Sequence, residues 1–412
     1  MTSQPFSLIL FGASGHLAKL KIYPALYVLA LKKKLPADYA IVGFARTSLD
    51  TATFRALIEA AVREAFSEVT QRALDDFLAH CHYHQGAYDD ATSYAALTKR
   101  LQLLEKSWKG HTRIAYLSVP PTVFTTVLTN LAEGGVHGHK RKTGFRCIVE
   151  KPVGHDLQSF EHVYATLKER FHEEDVFLLD HYLGKEAVRN IYYLRFANPV
   201  LERILKNTLI HHVEITASES AGLEGRAGYF DATGTLRDMV QSHLLMAMTL
   251  LTMRLHGEDA FRESRRNALE QIYLPPATDI SNLLLQGQYG AGVIGGQAVA
   301  GYKQEEGIPA TSTTNTFICL KLMTRISKWE GVPFYLRTGK RLRKKETRIS
   351  IEFQVPHSVG KGATPNRLDI ILQGEAGMRM HLQTKIGGTL PEFRPLIMED
   401  PLVCVGDCLP EH

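Results

Sequence analysis

Phe6-Ser7-Leu8-Ile9-Leu10-Phe11-Gly12-Ala13-Ser14-Gly15-His16-Leu17-Ala18 reads as a strand, a glycine turn and the opening of a helix. Six apolar-rich positions suit one buried strand, and helical spacing continues through Leu20, Tyr23, Leu26 and Tyr27. Glycine lets the chain turn sharply, after which a helix N-terminus offers unpaired amide hydrogens to a pyrophosphate. A Gly-x-x-Gly turn is a weak signal alone. Directly behind the first strand it is a strong one, because a dinucleotide-binding fold puts its phosphate loop there.

Working outward, a second strand is expected at Tyr39-Ala40-Ile41-Val42-Gly43, followed by Phe44-Ala45-Arg46-Thr47. An acidic residue near this strand's end holds a free ribose 2′-hydroxyl, whereas a 2′-phosphate needs a cation, so Arg46 argues for NADP over NAD. The spacing predicts a helix from Thr53 to Ala79, a short strand at Cys81-His82-Tyr83 and a helix over 91–105. Arg113-Ile114-Ala115-Tyr116-Leu117-Ser118-Val119 reads as a buried strand ended by Pro120-Pro121, which cannot continue a ladder. Phe145-Arg146-Cys147-Ile148-Val149 then delivers Glu150-Lys151-Pro152, where a lysine at a strand's end can neutralise ligand charge.

A last strand of this alternation, Val176-Phe177-Leu178-Leu179, runs into Asp180-His181-Tyr182-Leu183-Gly184-Lys185-Glu186. Four ionisable groups and a phenol in seven positions make poor core. They suit the carboxyl edge of an open α/β sheet, where ligands bind. If a helix begins here, His181 and Lys185 share a face and can grip one dianion, although a capped, solvated helix start explains the same spacing.

Strand–helix alternation over residues 1–180 implies a Rossmann-type, doubly wound parallel sheet. Beyond it, 181–412 reads as a second α+β domain on a large, mainly antiparallel sheet, with strands near 209–216, 283–289, 315–323, 332–337, 347–355 and 367–373. Thr235 to Met253 reads as a buried helix. Asp238 and His243 within it need partners or a cleft. On an α-helix they lie about 140° apart, on adjoining walls of one pocket. The basic run from Arg337 to Lys345 suits a small-phosphate site or a solvated loop.

At 412 residues the chain holds more than one ordinary core. A formal charge of +5 spread over that length argues against nucleic acid. No run reaches the roughly 20 apolar residues that cross a bilayer, and the first positive side chain is Lys19, so neither a membrane span nor a secretory signal is expected. Five cysteines without Cys-x-x-Cys spacing imply free thiols in a reducing, cytoplasmic setting. His80, His82 and His84 read as one face of a strand edge, and Cys404 and Cys408 have no His or Cys nearby to complete a zinc set, so no metal is expected at either place.

The heptapeptide at 180–186 resembles the active-site signature of the glucose-6-phosphate dehydrogenase family, and the likeness extends over roughly residues 6–400. It is carried by the loop at 12–18, Gly43 to Arg46, Tyr116 to Pro121, Glu150 to Pro152, Arg195-Phe196-Ala197-Asn198, residues 222–245, and Val332 to Lys340. The resemblance implies NADP-dependent oxidation of glucose 6-phosphate at C1 to the 6-phosphogluconolactone, the entry of the oxidative pentose phosphate pathway. By position it implies His243 as general base, oriented by Asp180, with His181, Tyr182 and Lys185 on the sugar phosphate. Lys151, Glu219, Asp238, Lys340 and Lys345 would contact hydroxyls or phosphate, with Lys21 near the same pocket. Gly12, Ser14, Gly15, His16, Leu17, Arg46 and Tyr116 would hold NADP, Lys151 reaching both ligands. A homodimer or homotetramer through the second domain's sheet is implied as well.

The chain departs from the family pattern at His16, usually Asp, at Asn315, typically Glu, and at Ser242, usually Asn. The family also continues past Pro395-Leu396-Ile397 through a helical tail with a late tryptophan, whereas Trp108 and Trp329 come earlier here. A silent NADP-binding paralogue and a dehydrogenase of another sugar phosphate are the alternatives.

Overall fold

The computed structural model describes residues 4–138, 143–151, 153–154, 156–180, 185–223, 225, 227–254, 257, 260–355, 364–373, 377–387 and 393–401. The chain divides into two compact units, 1–181 and 182–411.

In the first unit, strands β1 (Phe6–Phe11), β2 (Tyr39–Ala45), β3 (Cys81–Gln85), β4 (His111–Leu117), β5 (Thr143–Glu150) and β6 (Val176–Leu179) form one sheet. Its order is β3-β2-β1-β4-β5-β6 and every pairing is parallel. The direction of winding reverses between β1 and β4, the switch point where such folds bind dinucleotides. Helices α1 (Tyr23–Leu31), α2 (Thr51–Ala65), α3 (Gln71–Ala79), α4 (Ala91–Leu104), α5 (Phe124–Glu133) and α6 (Leu157–Arg170) connect the strands. Alternate strand residues serve opposite cores. Ile9, Phe11, Val42 and Phe44 pack with Leu97, Val127 and Leu167, while Leu10 and Ile41 pack with Tyr23, Phe54 and Phe77. Burial on both faces explains why β1 and β2 read as unbroken apolar runs.

Two local expectations need correction. The helix expected from Thr53 to Ala79 is two helices, because Phe66 turns extended (φ −132°) to pack on Tyr27 and Thr70 restarts the helix from an extended N-cap. The helix after the phosphate loop passes through a π-helical stretch, Ala18–Ile22, before α1. Ala18, Ile22, Tyr23 and Tyr27 are buried, whereas Leu20 is 45% exposed, since the wider turn rotates it out of the apolar stripe. Strand β6 lies where it was expected and is largely exposed, being the edge strand of its sheet.

In the second unit, α7 (Glu186–Phe196) and α8 (Pro199–Ile204) precede β7 (Ile210–Ser218). Next come α9 (Ala227–Thr235), a π-helix (Leu236–Leu244), α10 (Leu245–Thr252) and α11 (Phe261–Glu270). The remaining strands are β8 (Ile272–Tyr273), β9 (Leu284–Gly287), β10 (Gly292–Ile294), β11 (Gln297–Val299), β12 (Phe317–Thr324), β13 (Phe334–Gly339), β14 (Glu346–Phe353), β15 (Arg367–Gln373), β16 (Gly377–Lys385) and β17 (Phe393–Pro401). They build a sheet ordered β17-β16-β15-β14-β7-β13-β12-β8, with β9 also on β12 and a separate β10-β11 hairpin. Among the described residues, only the β7–β13 pairing within it is parallel. Val213, Ile215 and Ala217 point to the helical layer and pack with Ile191, Val240, Leu244 and Met248.

Buried Arg195 pins that layer. Its Nε and Nη2 donate to the Glu202 carboxylate at 2.9 and 3.1 Å, and Nη1 donates to the carbonyls of Leu251 (2.6 Å) and Met253 (2.9 Å) at the end of α10. A cation among the last carbonyls of a helix satisfies groups that have no partner within it. Asn315 is structural too: its Nδ2 donates to Gln286 Oε1 (2.7 Å), and its carbonyl accepts from Thr235 Oγ1 (2.8 Å).

Candidate active site

The first unit gathers its candidate residues along the carboxyl edge of the parallel sheet. Gly12 follows β1 with φ +81°, and its amide donates to the Phe44 carbonyl at 3.0 Å. A Cβ on Gly12 would lie 2.1 Å from the Ser118 carbonyl oxygen, and one on Gly15 would lie 2.9 Å from the Gly12 oxygen. The turn is therefore as tight as glycine permits. Gly15, His16 and Leu17 are exposed at its mouth. Tyr23 Oη donates to the Ala13 carbonyl at 2.6 Å, tying the π-helical turn back to the loop, and Ser14 Oγ lies 2.8 Å from Thr47 Oγ1. Lys21 is exposed on the π-helical stretch.

Arg46, just past β2, is exposed, and its guanidinium lies over the Tyr88 ring at 5.6 Å. Burial raises the Tyr88 phenol above its ordinary pKa, with the Arg46 charge opposing it. Tyr116, near the end of β4, donates its hydroxyl to the Glu150 carboxylate. Burial first and that hydrogen bond second raise the Tyr116 phenol, while burial raises Glu150 against the opposing effect of the Tyr116 bond. Tyr116 is thereby fixed in orientation by Glu150, a neighbour that residue type alone did not single out. Lys151 Nζ bonds Asp180 Oδ2 at 2.7 Å.

The glycine-lined turn, exposed loop and arginine platform are the features NADP needs: close backbone approach for a pyrophosphate and a cation for the 2′-phosphate. The residues fit that cofactor.

In the second unit, Glu219 and Lys340 follow the neighbouring strands β7 and β13 and form an ion pair. Lys340 is only 6% exposed and its ammonium lies 5.1 Å from the centre of the Phe230 ring. Glu219's amide donates to the Gly339 carbonyl at 3.0 Å, so the two strand ends hold the pair in place. The π-helix carrying Asp238 and His243 packs against these same two strands. The α-helical estimate for that pair is overturned. In an i→i+5 helix, residues five apart lie about one turn apart on the same face, so Asp238 and His243 share a face rather than adjoining walls. Both are half-buried. Gly234 (φ +70°) kinks the chain just before this segment.

Lys185 sits at the start of α7, where its carbonyl accepts the amides of Val188 and Arg189, each at 3.1 Å. Lys345 is exposed on the turn into β14. His181 and Tyr182 lie outside the described residues, as do Cys404 and Cys408. His80, His82 and His84 do not converge: His80 Nδ1 bonds the Tyr39 carbonyl (2.8 Å) and His84 Nε2 the Ser93 carbonyl (3.1 Å).

Two family models divide the chain between them, the glucose-6-phosphate dehydrogenase NAD binding domain over residues 9–190 and the C-terminal domain over 192–400. The chain belongs to the glucose-6-phosphate dehydrogenase family. Within this family it is 35% identical to the glucose-6-phosphate 1-dehydrogenase of Chlamydia pneumoniae, covering 97% of this chain and 80% of that one. The Bacillus subtilis enzyme of the same name is 34% identical, over 95% and 81%. Among solved structures, a glucose-6-phosphate dehydrogenase in complex with its substrate glucose-6-phosphate superposes with a TM-score of 0.88 at 31% identity, over 97% of this chain and 82% of the other. The Mycobacterium avium glucose-6-phosphate 1-dehydrogenase gives 0.82 at 27% identity, over 96% and 83%.

Proposed function

We propose that this chain oxidises glucose 6-phosphate at C1 with NADP, yielding the 6-phosphoglucono-lactone, the first step of the oxidative pentose phosphate pathway. The observation that carries this is the continuity of the match: both family domains fit in order, with substrate-domain and cofactor-domain residues present together. When bound, NADP supplies the hydride acceptor.

Oxidation at C1 also requires the hydroxyl proton to leave, and His243 takes it on an imidazole nitrogen. A histidine titrating near neutral pH suits that task. Asp180 is the carboxylate to which the family pattern gives the role of orienting the base. Lys151, His181, Tyr182 and Lys185 hold the phosphorylated sugar, with Glu219, Asp238, Lys340, Lys345 and Lys21 toward its hydroxyls or phosphate. Gly12, Ser14, Gly15, His16 and Leu17 receive the cofactor pyrophosphate, Arg46 its 2′-phosphate, and Tyr116 lines the same edge. Assembly as a homodimer or homotetramer through the second unit's sheet, in a cytoplasmic setting, belongs to the same reading.

The test is NADPH absorbance from glucose 6-phosphate and NADP, with His243→Asn and free glucose alongside. Turnover of the phosphorylated sugar alone, lost in the variant, is the expected result. A folded, NADP-binding wild type without turnover would overturn it in favour of a silent paralogue or another sugar phosphate.

A further inference from the structure

Two adjacent histidines on a regular strand point to opposite faces, because the side-chain period is two. His211 and His212, at the start of β7, do not. The pairing with β14 matches His212 to Glu352 but Ile210 to Phe353, so the register shifts and His211 is an extra residue on β7. Such a bulge re-aims the side chain it carries. Both imidazoles consequently meet, Nδ1 to Nδ1 at 2.8 Å, and Glu352 Oε1 stands 4.0 Å from the His211 nitrogen and 3.8 Å from the His212 nitrogen.

We propose that His211, His212 and Glu352 form a binding site for a divalent transition-metal ion, zinc in the first instance. Their ligand atoms all lie within 4.8 Å of one another. Ligands about 2.0–2.1 Å from a tetrahedral zinc are about 3.3 Å apart, a spacing that the three observed separations bracket. His211 is 67% exposed, so a small rotation of its ring opens the short edge. Two imidazoles and one carboxylate select a zinc-class ion over magnesium or calcium, which prefer all-oxygen sets.

The surroundings serve the same end. Glu214 Oε1 lies 3.7 Å from His212 Nε2, behind the coordinating nitrogen, where a carboxylate orients a ligand ring and strengthens it as a donor. The Tyr335 ring meets the His212 ring edge-on at 5.8 Å and restricts its rotation. Three protein ligands leave a fourth position for water. The bound ion clips β7 to β14 at the bulge, independently of the dehydrogenase reaction.

Calorimetric titration of the metal-stripped full chain with zinc, and cobalt absorption as a second readout, tests this with His211→Ala, Glu352→Gln and the remote control His80→Ala. One equivalent should bind with the spectrum of four-coordinate cobalt. Affinity should fall at least about tenfold in each ligand variant, and by a comparable factor in Glu214→Gln, while His80→Ala binds as wild type. Absence of saturable zinc uptake by the wild type, or uptake that neither ligand variant alters, would overturn the site.

Discussion

Lys151 Nζ lies 2.7 Å from Asp180 Oδ2, joining the residue after β5 to the residue after β6. The Asp180 side chain is 8% exposed and that of Lys151 32%, so the carboxylate is the more desolvated partner. Two opposite charges are thus held side by side at the edge that also carries the phosphate loop.

Because Lys151 is partly exposed, its pair with Asp180 contributes only about 0–1 kcal/mol to stability. Given the role proposed for it at the phosphorylated sugar, Lys151→Met should lower kcat/KM for glucose 6-phosphate by about 10²–10³ while moving the urea midpoint little. Steady-state kinetics beside urea melts checks the split, and retained kcat/KM in a destabilised variant would reverse the assignment.

Gly12→Ala combines two penalties. The left-handed φ of +81° costs a Cβ-bearing residue about 1–2 kcal/mol, and the new carbon meets the Ser118 oxygen at 2.1 Å. Melting temperature and NADP affinity should both drop. Gly15→Ala, whose contact is the softer 2.9 Å approach to the Gly12 oxygen, should lose less stability. Thermal melts with and without NADP distinguish the two, and equal losses would argue against the strain account.

The Arg46 guanidinium lies over the Tyr88 ring and, among the described residues, forms no ion pair with a carboxylate. A charge-assisted bond to a phosphate is worth about 1.5–3 kcal/mol, so Arg46→Ala should raise KM for NADP about 10- to 100-fold. KM for NAD, which lacks the 2′-phosphate, should change by no more than about twofold by the same reasoning. Parallel titrations with the two nucleotides decide it.

His82 and His84 make the first unit sensitive to acid. Burial pushes the His82 imidazole down to about 4 and lowers His84 against its Ser93 hydrogen bond. Unfolded histidine titrates near about 6.5, so between about 6.5 and about 4 the unfolded chain binds more protons. Stability therefore falls as pH drops through that window, and the histidine contribution levels off below it. His82→Gln should flatten the melting-temperature profile there, and an unaltered slope would show that the acid sensitivity arises elsewhere.

Arg195→Met removes a buried cation and leaves the last carbonyls of α10 without their donor, while Glu202, 30% exposed, keeps its ion pair with Lys328. Buried backbone carbonyls left without a donor cost about 1–3 kcal/mol each, which a urea midpoint reads directly. Arg195→Lys should recover only part of it, since an ammonium cannot reproduce the guanidinium fork. Full recovery would mean that charge alone suffices.

Much of the site is legible in the chain because it depends on local chemistry. A strand that must be buried on both faces is apolar throughout, and the residues after β1, β2, β5 and β6 then fall at one edge by topology. Arg46, Lys151 and Asp180 follow from that rule. Less legible are pairings between residues far apart in sequence: Tyr116 with Glu150, Arg46 with Tyr88, and Lys340 with Phe230. Strands β16 and β17 were missed because polar residues are frequent along them, as in Gly377–Lys385, and their pairing rests on a neighbour already in the sheet.

The amino-acid sequence by itself determined the two-part architecture and the glycine loop, since apolar period and glycine requirement are properties of short stretches, and its resemblance to a known family supplied the family. The tertiary structure alone decided the registers. The π-helix that aligns Asp238 with His243, the π-helical turn that exposes Leu20, and the bulge that turns His211 toward His212 each depend on which backbone partner a residue bonds. Alternative partners one residue apart differ little in local energy, so packing against distant elements selects among them.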